Sequence, residues 1–234
     1  MNWREFWNGD TPIYANQRHK EVHYAGIAAD IVRLIDEYSP QRAPRLLDYG
    51  CGEALSASVV AKRCEQLFLL DSASVVVDAL RARHSGDGHV TVLLEDGESA
   101  IAPQSLDLLV ANSVLQYLTR DELVAALRRW HGLLRPQGRL VLADIIPRQT
   151  GAVTDALALL RLARRGGFFI AACTGLVRTA FSDYRSLRNQ LGITHYDAAE
   201  LRPLLAAAGF DPVTPHANLG HNPARLCLVC QRSL

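Results

Sequence analysis

The sequence has almost no excess of charge of either sign. Its 234 residues include 25 Lys and Arg against 24 Asp and Glu, which gives a formal net charge of +1. Proteins that bind nucleic acids usually carry a basic surplus on one face or along one helix. This chain has neither a surplus nor a long run of Lys and Arg, so its composition argues against a nucleic-acid partner.

Long apolar runs are also missing. No stretch reaches the roughly 18 uninterrupted apolar residues of a membrane-spanning helix. The first residues, MNWREFWNGD, are polar and lack the apolar region of a signal peptide. We therefore predict that the chain does not span a membrane and that it is cytoplasmic.

Cysteine is scarce. The five cysteines are odd in number and irregular in spacing, which argues against a disulfide framework and favours a reducing compartment. Cys227 and Cys230 are three apart, but in a predicted strand such residues point to opposite faces. His19 and His23 have a spacing that could bind a metal on a helix, yet no third ligand is apparent. We predict no metal site.

Hydrophobic residues, in contrast, make up 49% of the chain, and their patterns alternate between strand and helix. This length favours a single α/β domain. Repeated strand–helix units indicate a doubly wound, mostly parallel sheet with helices on both faces. The seven predicted strands are 45–49, 67–71, 89–94, 106–111, 139–145, 211–216 and 225–231.

Four regions are predicted within the single domain. Residues 1–38 are interpreted as an N-terminal helical arm that serves as a lid, and 45–147 as the ligand-binding core. Residues 148–196 are too many for a plain connection between core elements, so we interpret this apolar stretch as a helical cap insertion. A membrane-resting role for it is disfavoured because its basic amphipathic patterning is weak. Residues 197–234 supply the closing helix and strands.

A glycine turn follows the first predicted strand. Gly50 and Gly52 lack a Cβ, so the backbone can turn sharply and a ligand can approach closely. The dinucleotide motif G-x-G-x-x-G is a poor fit, because Leu55 occupies the position of the third glycine. The spacing D-x-G-x-G-x-small fits, with Asp48 and Ala54 at its ends. A carboxylate at position 48 would repel a pyrophosphate but attract an ammonium or sulfonium group.

An acidic residue ends the second predicted strand. Asp71 lies about 20 residues beyond the glycines, where the hydroxyls of a ribose bind in a doubly wound sheet. Asp71 and the neighbouring Ser72 are therefore candidates for binding a cofactor. We expect that replacing Asp71 with alanine weakens this binding with little loss of fold.

From residue 45 to about 145 the chain resembles a class I S-adenosylmethionine-dependent methyltransferase. The resemblance implies a Rossmann-like methyltransferase fold, an antiparallel closing hairpin and S-adenosylmethionine as the cofactor. It also implies that Asp48, Gly50 and Gly52 line the methionine end of the donor and that Asp71 binds its ribose. The further residues with implied roles are Asp96 at the adenine amino group, Gly97 beside it, Asn112 and Gln116 in the loop lining the methionine, and Leu133–Gly138 as the turn into strand five.

The acceptor side is predicted from residues outside the resemblance. His23, His19 and His195 are the catalytic candidates, and His216 and His221 are further histidines that could act as a base. For each of them, a role as a surface, helix-capping or structural residue is the alternative interpretation. Tyr14 is a candidate for the donor pocket through aromatic contact with the sulfonium, and plain packing explains it equally well.

Together these features predict an S-adenosylmethionine-dependent methyltransferase that acts on a small, apolar or aromatic metabolite by in-line displacement. Positioning of the acceptor and exclusion of water would supply most of the rate. The alternatives are a binding module that has lost turnover and, less favoured, a nicotinamide-dependent oxidoreductase. The sequence leaves open which atom is methylated and whether the protein is a homodimer.

Overall fold

A computed structural model describes residues 14–180 and 192–233 of the chain. Its first helix, α1 (Gln17–Tyr38), begins after Asn16, whose side chain accepts a hydrogen bond from His19 N at 2.8 Å. This bond satisfies one of the free N–H groups of the first turn. The helix therefore begins one residue before the predicted start and ends where the sequence predicts.

Seven strands form one sheet in the order β3-β2-β1-β4-β5-β7-β6. The strands β1 to β5 pair in parallel, and β7 pairs antiparallel with both β5 and β6. The predicted mostly parallel, doubly wound sheet is confirmed, and so is the antiparallel closing hairpin. The strands are β1 (Arg45–Tyr49), β2 (Gln66–Asp71), β3 (Val90–Leu94), β4 (Leu106–Asn112), β5 (Leu134–Ile145), β6 (Phe210–His216) and β7 (Leu226–Arg232).

Helices cover both faces of the sheet because side chains alternate along each strand. Leu47 on β1 belongs to one apolar core, which contains the fully buried Trp130. Its neighbour Leu46 belongs to a second core with Ile31 of α1. The further α-helices are α2 (Ala57–Ala61), α3 (Ser74–Arg83), α4 (Arg120–Leu133), α5 (Ala152–Gly166), α6 (Phe169–Ala180) and α7 (Ala198–Ala207), and 3₁₀ helices lie at Glu95–Ala100 and Leu115–Tyr117.

Two elements differ from the prediction by three residues or more at one boundary. The helical spacing after the glycine turn predicts a helix over 55–64, but the helix there is only the five-residue α2, because the turn that begins at Gly50 continues through Ala54, which has a φ of +38°. Strand β5 begins at Leu134 instead of 139. The predicted turn at 136–138 is a bulge inside this strand, in which Gln137 has a φ of +64°.

The cap begins as predicted, with two consecutive helices. Helix α5 ends at Gly167, whose φ of +77° is a left-handed conformation that favours glycine. The buried Ala163, Phe168 and Ala172 form a small core with Val22 of α1, so the cap packs on the first helix. Part of the predicted arm and part of the predicted cap, 1–13 and 181–191, lie outside the described residues. Among the described residues, no helix is long and apolar enough to cross a membrane.

Candidate active site

A cavity of about 660 Å³ lies at the carboxyl ends of the central strands. It extends across the boundary between β1 and β4, where the strand order reverses. Ligands of open α/β sheets bind at such a reversal, because the loops on its two sides diverge and leave a crevice. The cavity contains most of the predicted site residues, and it divides into a glycine-loop half and a cap half.

The glycine loop forms the floor of the first half. Gly50 N and Cys51 N both donate to Leu70 O, at 2.7 and 3.1 Å, which fixes the loop to the end of β2. Gly50 has a φ of +70°, and a Cβ there would lie 2.6 Å from Cγ2 of Val114. Conformation and space therefore both require glycine at this position.

Asp71 holds this loop as well as facing the cavity. Its carboxylate accepts hydrogen bonds from Gly52 N at 2.8 Å and from Ala73 N at 2.9 Å. Burial raises the pKa of Asp71, while these two backbone bonds act in the opposite direction. Because Asp71 is tied into the loop backbone, we expect its removal to cost stability as well as ligand binding.

Asp48 lines the cavity near the end of β1, two residues before Gly50. Burial raises the pKa of its carboxyl to about 7, and the nearby carboxylate of Asp71 contributes to the shift. A cationic ligand would compensate for both causes, since it would stabilise the ionised form directly. An acid in this state fits a positively charged donor better than a pyrophosphate.

Two tyrosines of the N-terminal segment cover the glycine loop. Tyr24 Oη accepts a hydrogen bond from Glu53 N at 2.9 Å, and a Cβ on Gly52 would lie 2.7 Å from the same oxygen. Tyr24 is also hydrogen-bonded to Tyr14, whose pKa burial raises to about 12. Lys20 on the next turn of α1 contacts Glu53 Oε1 at 2.6 Å. The sequence motifs gave no signal for Tyr24.

Aromatic and imidazole rings dominate the cap half of the cavity. His19 stacks on Phe168 with ring centroids 4.7 Å apart, so α1 and the cap meet through these two rings. The His23 ring lies 5.5 Å from Tyr14 and 6.2 Å from His221. Burial lowers the pKa of His19 to about 4 and that of His23 to about 3, and it also lowers the pKa of His221. All three imidazoles are therefore uncharged at neutral pH.

Asp144 and Ser113 form a polar pair between the two halves. The Ser113 hydroxyl donates to Asp144 Oδ2 at 2.6 Å, and both residues have left-handed backbones, with φ of +59° and +54°. Strained non-glycine residues are concentrated at functional sites. Burial raises the pKa of Asp144, although Ser113 and Arg225 favour its ionised form. No sequence motif predicted this pair.

Arg225 ties the cap to the closing hairpin. Its Nη2 lies 2.8 Å from Asp155 Oδ2 on α5, and its Nε lies 3.8 Å from Asp144 Oδ1. Asn222 donates to the other Asp155 oxygen at 2.8 Å. This network joins α5 to the loop between β6 and β7, whose residues His221 and Arg225 line the cavity.

Ten of the thirteen predicted site residues line the cavity. Asn112 and Gln116 are among them, and their buried amide oxygens have no hydrogen-bond partner within the described part of the chain. These oxygens are suited to accept bonds from a ligand's N–H groups. The other residues brought together as predicted are Tyr14, His19, His23, Asp48, Gly50, Gly52, Asp71 and Ser72.

Three predicted residues lie apart from the cavity. Glu95 lines the cavity, whereas Asp96 lines a neighbouring depression. The 3₁₀ helix that starts at Glu95 separates the two side chains in this way. Gly97 lies against the Leu93 side chain. His195 is in the return from the cap, which reaches the cavity through Ile193 instead.

The residues that the structure describes contain no candidate metal-binding site. Within 14–180 and 192–233, no group of three or more His, Cys, Asp or Glu side chains is arranged to hold a metal ion. The rings of His19 and His23 lie 6.5 Å apart, and each contacts other aromatic rings.

A family model described as a methyltransferase domain matches residues 47–142. This segment contains the glycine loop, Asp71 and the Asn112 loop, so the match and the predicted resemblance concern the same residues. This segment is therefore a methyltransferase domain, and the chain has the fold of class I S-adenosylmethionine-dependent methyltransferases. S-adenosylmethionine is the cofactor of that class.

One curated relative and several solved structures are similar to the chain. "Arginine-hydroxylase NDUFAF5, mitochondrial" from Danio rerio is 32% identical over 126 residues, which cover 53% of this chain and 38% of that protein. The chain thus matches well under half of that relative's length. The name of that relative states an arginine hydroxylation, and the name describes the relative only.

The structural matches concern the fold. Magnesium protoporphyrin IX methyltransferase from Synechocystis PCC 6803 with bound SAM matches with a TM-score of 0.58 and 14% identity, covering 99% of this chain and 89% of that chain. The CurJ carbon methyltransferase matches with a TM-score of 0.57 and 18% identity, covering 94% of this chain and 56% of that chain. Matches at this level of identity show the fold, and a fold does not identify the acceptor of this protein.

Proposed function

We propose that the protein transfers the methyl group of S-adenosylmethionine to a small, apolar or aromatic acceptor. The observation that carries this proposal is the continuity of one cavity. The glycine-loop half holds the residue types that a donor needs, and the cap half adjoins it with a wall of uncharged rings. A donor and an acceptor bound in the two halves would meet near Asp144 and Ser113.

The donor half fits the cofactor chemically. Asp71 and Ser72 would hold the ribose, Asp48 would balance positive charge, and Asn112 and Gln116 would accept hydrogen bonds from the methionine end. Gly50 leaves room for the donor to approach the loop backbone. When bound, the donor supplies an activated methyl group on a sulfonium, and the protein's part is to orient the acceptor and exclude water.

The character of the cap half supports the acceptor class. His19, His23 and His221 are uncharged at neutral pH because burial lowers their pKa values. With Tyr14 and Ile146 they line this half of the cavity. A charged acceptor would lose its hydration there without a matching ion pair from these rings, whereas an aromatic ring would stack on them.

Asp144 is the proposed proton acceptor when the acceptor carries a proton. The sequence nominated histidines, but the pKa of about 3 at His23 describes a weak base. Burial raises the pKa of Asp144, which makes its carboxylate a stronger base than an ordinary one. The histidines are then proposed to contact the acceptor, and His195 remains a catalytic candidate from the sequence alone.

A panel of metabolites incubated with donor carrying a labelled methyl group tests the function. We expect labelled product from at least one apolar or aromatic member, and calorimetric binding of both S-adenosylmethionine and its demethylated product. Donor binding without any product would favour the inactive binding module. Binding of nicotinamide dinucleotides in place of the donor would favour an oxidoreductase and overturn the proposal.

The remaining assignments follow from the sequence. We propose that the four regions 1–38, 45–147, 148–196 and 197–234 act as lid, donor-binding core, cap and closing elements. A cytoplasmic location and the absence of a nucleic-acid partner stay predictions. Sedimentation equilibrium would distinguish the monomer from the homodimer.

A further inference from the structure

The outer surface of the cap is unusually apolar. Five of the seven large hydrophobic side chains that are exposed among the described residues lie on α5 and α6, and Ile170 is 80% exposed. Apolar groups concentrated on one exposed element indicate a surface that binds a partner. We call these five residues the cap patch: Val153, Leu157, Phe169, Ile170 and Val177.

The same surface is basic. Arg161, Arg164 and Arg165 are exposed on the second half of α5. The only acidic residue of α5 and α6 is Asp155, and its carboxylate points inward to Arg225 and Asn222. The two helices therefore contribute arginines but no carboxylate to their outer surface.

One exposed stripe of α5 changes from apolar to basic along the helix axis. Positions 153, 157, 161 and 164 follow a spacing of three to four residues, which places them on one stripe of a helix. The amino-terminal part of this stripe is apolar, with Val153 and Leu157, and the carboxy-terminal part is arginine. The sequence of the whole insertion shows only weak basic amphipathic patterning, because leucines and alanines that face inward alternate with these exposed residues. The separation along the stripe is therefore visible only in the structure.

We propose that the cap patch and its three arginines bind the surface of an anionic lipid membrane. Helices that rest on membranes insert apolar side chains below the headgroups while basic side chains contact the phosphates. Each arginine near an anionic surface adds to the attraction. A second copy of the chain fits less well, because a symmetric contact through this surface would bring like-charged arginines together.

The cap would then face two environments. Phe168 packs inward against His19, while the next residue in the chain, Phe169, is exposed on the outer surface. A membrane-bound cap would place the cavity close to a lipid phase, from which an apolar acceptor could enter. This consequence rests on the proposed function, whereas membrane binding itself does not.

Vesicle flotation tests the proposal on the full chain. Wild-type protein is mixed with vesicles of phosphatidylcholine alone or of phosphatidylcholine with phosphatidylglycerol. We expect flotation with the anionic vesicles only. The double variant Arg161→Glu/Arg164→Glu should bind them at least about 30-fold more weakly, because two arginine contacts of about 1 kcal/mol each are lost.

A second variant examines the apolar contribution. Phe169→Glu/Ile170→Glu should also lose flotation, since both side chains would have to enter the lipid. The matched controls are Val59→Glu and Val75→Glu, which change exposed valines on α2 and α3, away from the cap. Calorimetry with S-adenosylhomocysteine on every variant separates loss of membrane binding from loss of fold.

Three outcomes would overturn the proposal. Equal flotation with neutral vesicles would mean that the arginines are not recognised by lipid charge. Absence of flotation, together with a dimer that Ile170→Glu dissociates in sedimentation, would assign the patch to a second copy. Absence of flotation from a monomer would mean that residues outside the described ranges or another partner cover it.

Discussion

The two halves of the cavity are constructed in different ways. The donor half is built from short, local segments: the loop after β1 and the end of β2 supply Asp48, Gly50, Gly52 and Asp71. The cap half is lined by α1, by Asp144 and Ile146 at the end of β5, by Ile193 and by the loop between β6 and β7, which are far apart in the chain. Local backbone geometry therefore defines the donor half, and long-range packing defines the acceptor half.

This difference has a functional consequence. A loop fixed by glycine conformations and by the bonds of Asp71 to Gly52 and Ala73 can change little without losing its ligand. Side chains contributed by separate elements can be exchanged one at a time while the sheet persists. The donor half is thus suited to a constant cofactor and the cap half to acceptors that differ among proteins of one fold.

The largest effect is expected at Asp144, where the two halves meet. Asp144→Asn keeps an acceptor for the Ser113 hydroxyl but removes the base, so turnover of a protic acceptor found in the panel should fall by about 100-fold or more. In the wild type, turnover should rise with pH through the raised pKa of Asp144, because only the ionised form accepts a proton. The variant should lack this rise.

Steady-state rates across pH and calorimetry with the demethylated product measure this effect. Donor affinity should stay unchanged in Asp144→Asn, which would separate the acceptor half from the donor half. The control is Asp78→Asn, whose side chain is 75% exposed on α3. Full activity in Asp144→Asn would show that no base is used there.

Gly50→Ala should weaken donor binding in the glycine-loop half of the cavity. The new Cβ would lie 2.6 Å from Val114 Cγ2, so the loop or Val114 must move within the cavity. We expect donor affinity to fall by roughly 30-fold, corresponding to about 2 kcal/mol. Gly86→Ala is a matched control, because Gly86 also has a positive φ of +91° but has open space around it.

Both glycine variants should lose about 1 kcal/mol of stability from the left-handed backbone. Only Gly50→Ala should lose donor binding, as measured by calorimetry alongside chemical denaturation. Equal donor affinities in the two variants would refute the role of crowding against Val114.

Asp71→Asn should weaken donor binding by about tenfold, because a charge-assisted bond to a ribose hydroxyl exceeds a neutral one by more than about 1 kcal/mol. Stability should fall as well, by about 1–3 kcal/mol, since the carboxylate also accepts from Gly52 N and Ala73 N. Asp87→Asn is the control, because Asp87 accepts a backbone N–H from His89 in an exposed turn. Unchanged donor affinity in a folded Asp71→Asn would place the ribose elsewhere.

Asp48 should make donor affinity depend on pH. Its pKa of about 7 in the free protein means that it is largely protonated at pH values well below 7. A cationic donor favours the ionised form, so affinity should rise as pH increases through 7, by roughly tenfold over about two pH units. Calorimetry with S-adenosylmethionine measures it, and Asp48→Asn should remove the dependence. An equally steep dependence in that variant would assign the titration to another group.

Much of the donor half could be predicted because its signals are short. Asp48, Gly50 and Gly52 lie within five positions, and Asp71 ends the neighbouring strand. The sheet was predictable for a similar reason, since apolar patterns alternate locally. The early start of β5 was missed because a positive φ at Gln137 lets the chain bulge where the Pro-Gln-Gly sequence indicated a turn.

The contacts outside the donor half could not be predicted from local pattern. Ser113 and Asp144 are 31 residues apart, and Asp155 and Arg225 are 70 apart. No spacing rule joins them, and their residue types are common on surfaces. The histidines were named from their chemistry alone, which identified His19, His23 and His221 but also nominated His195 outside the cavity.

The smallest effect is expected at Tyr24, where the first helix contacts the donor half. Tyr24→Phe keeps the ring but removes the oxygen that accepts from Glu53 N. Loss of one such bond corresponds to about 1 kcal/mol, so donor affinity should fall by roughly fivefold. The control is Tyr38→Phe, which removes a hydroxyl from the last residue of the same helix, away from the cavity.

Amide hydrogen exchange separates a positioning role from a merely structural one. In Tyr24→Phe, exchange at Glu53 should accelerate while exchange in β1 and β2 stays as slow as in the wild type, because the strands keep all of their own hydrogen bonds. Bound S-adenosylhomocysteine should restore part of the protection. If Glu53 exchanges equally in both proteins, the loop holds its shape without Tyr24, and the donor half is then as self-contained as its short motif implies.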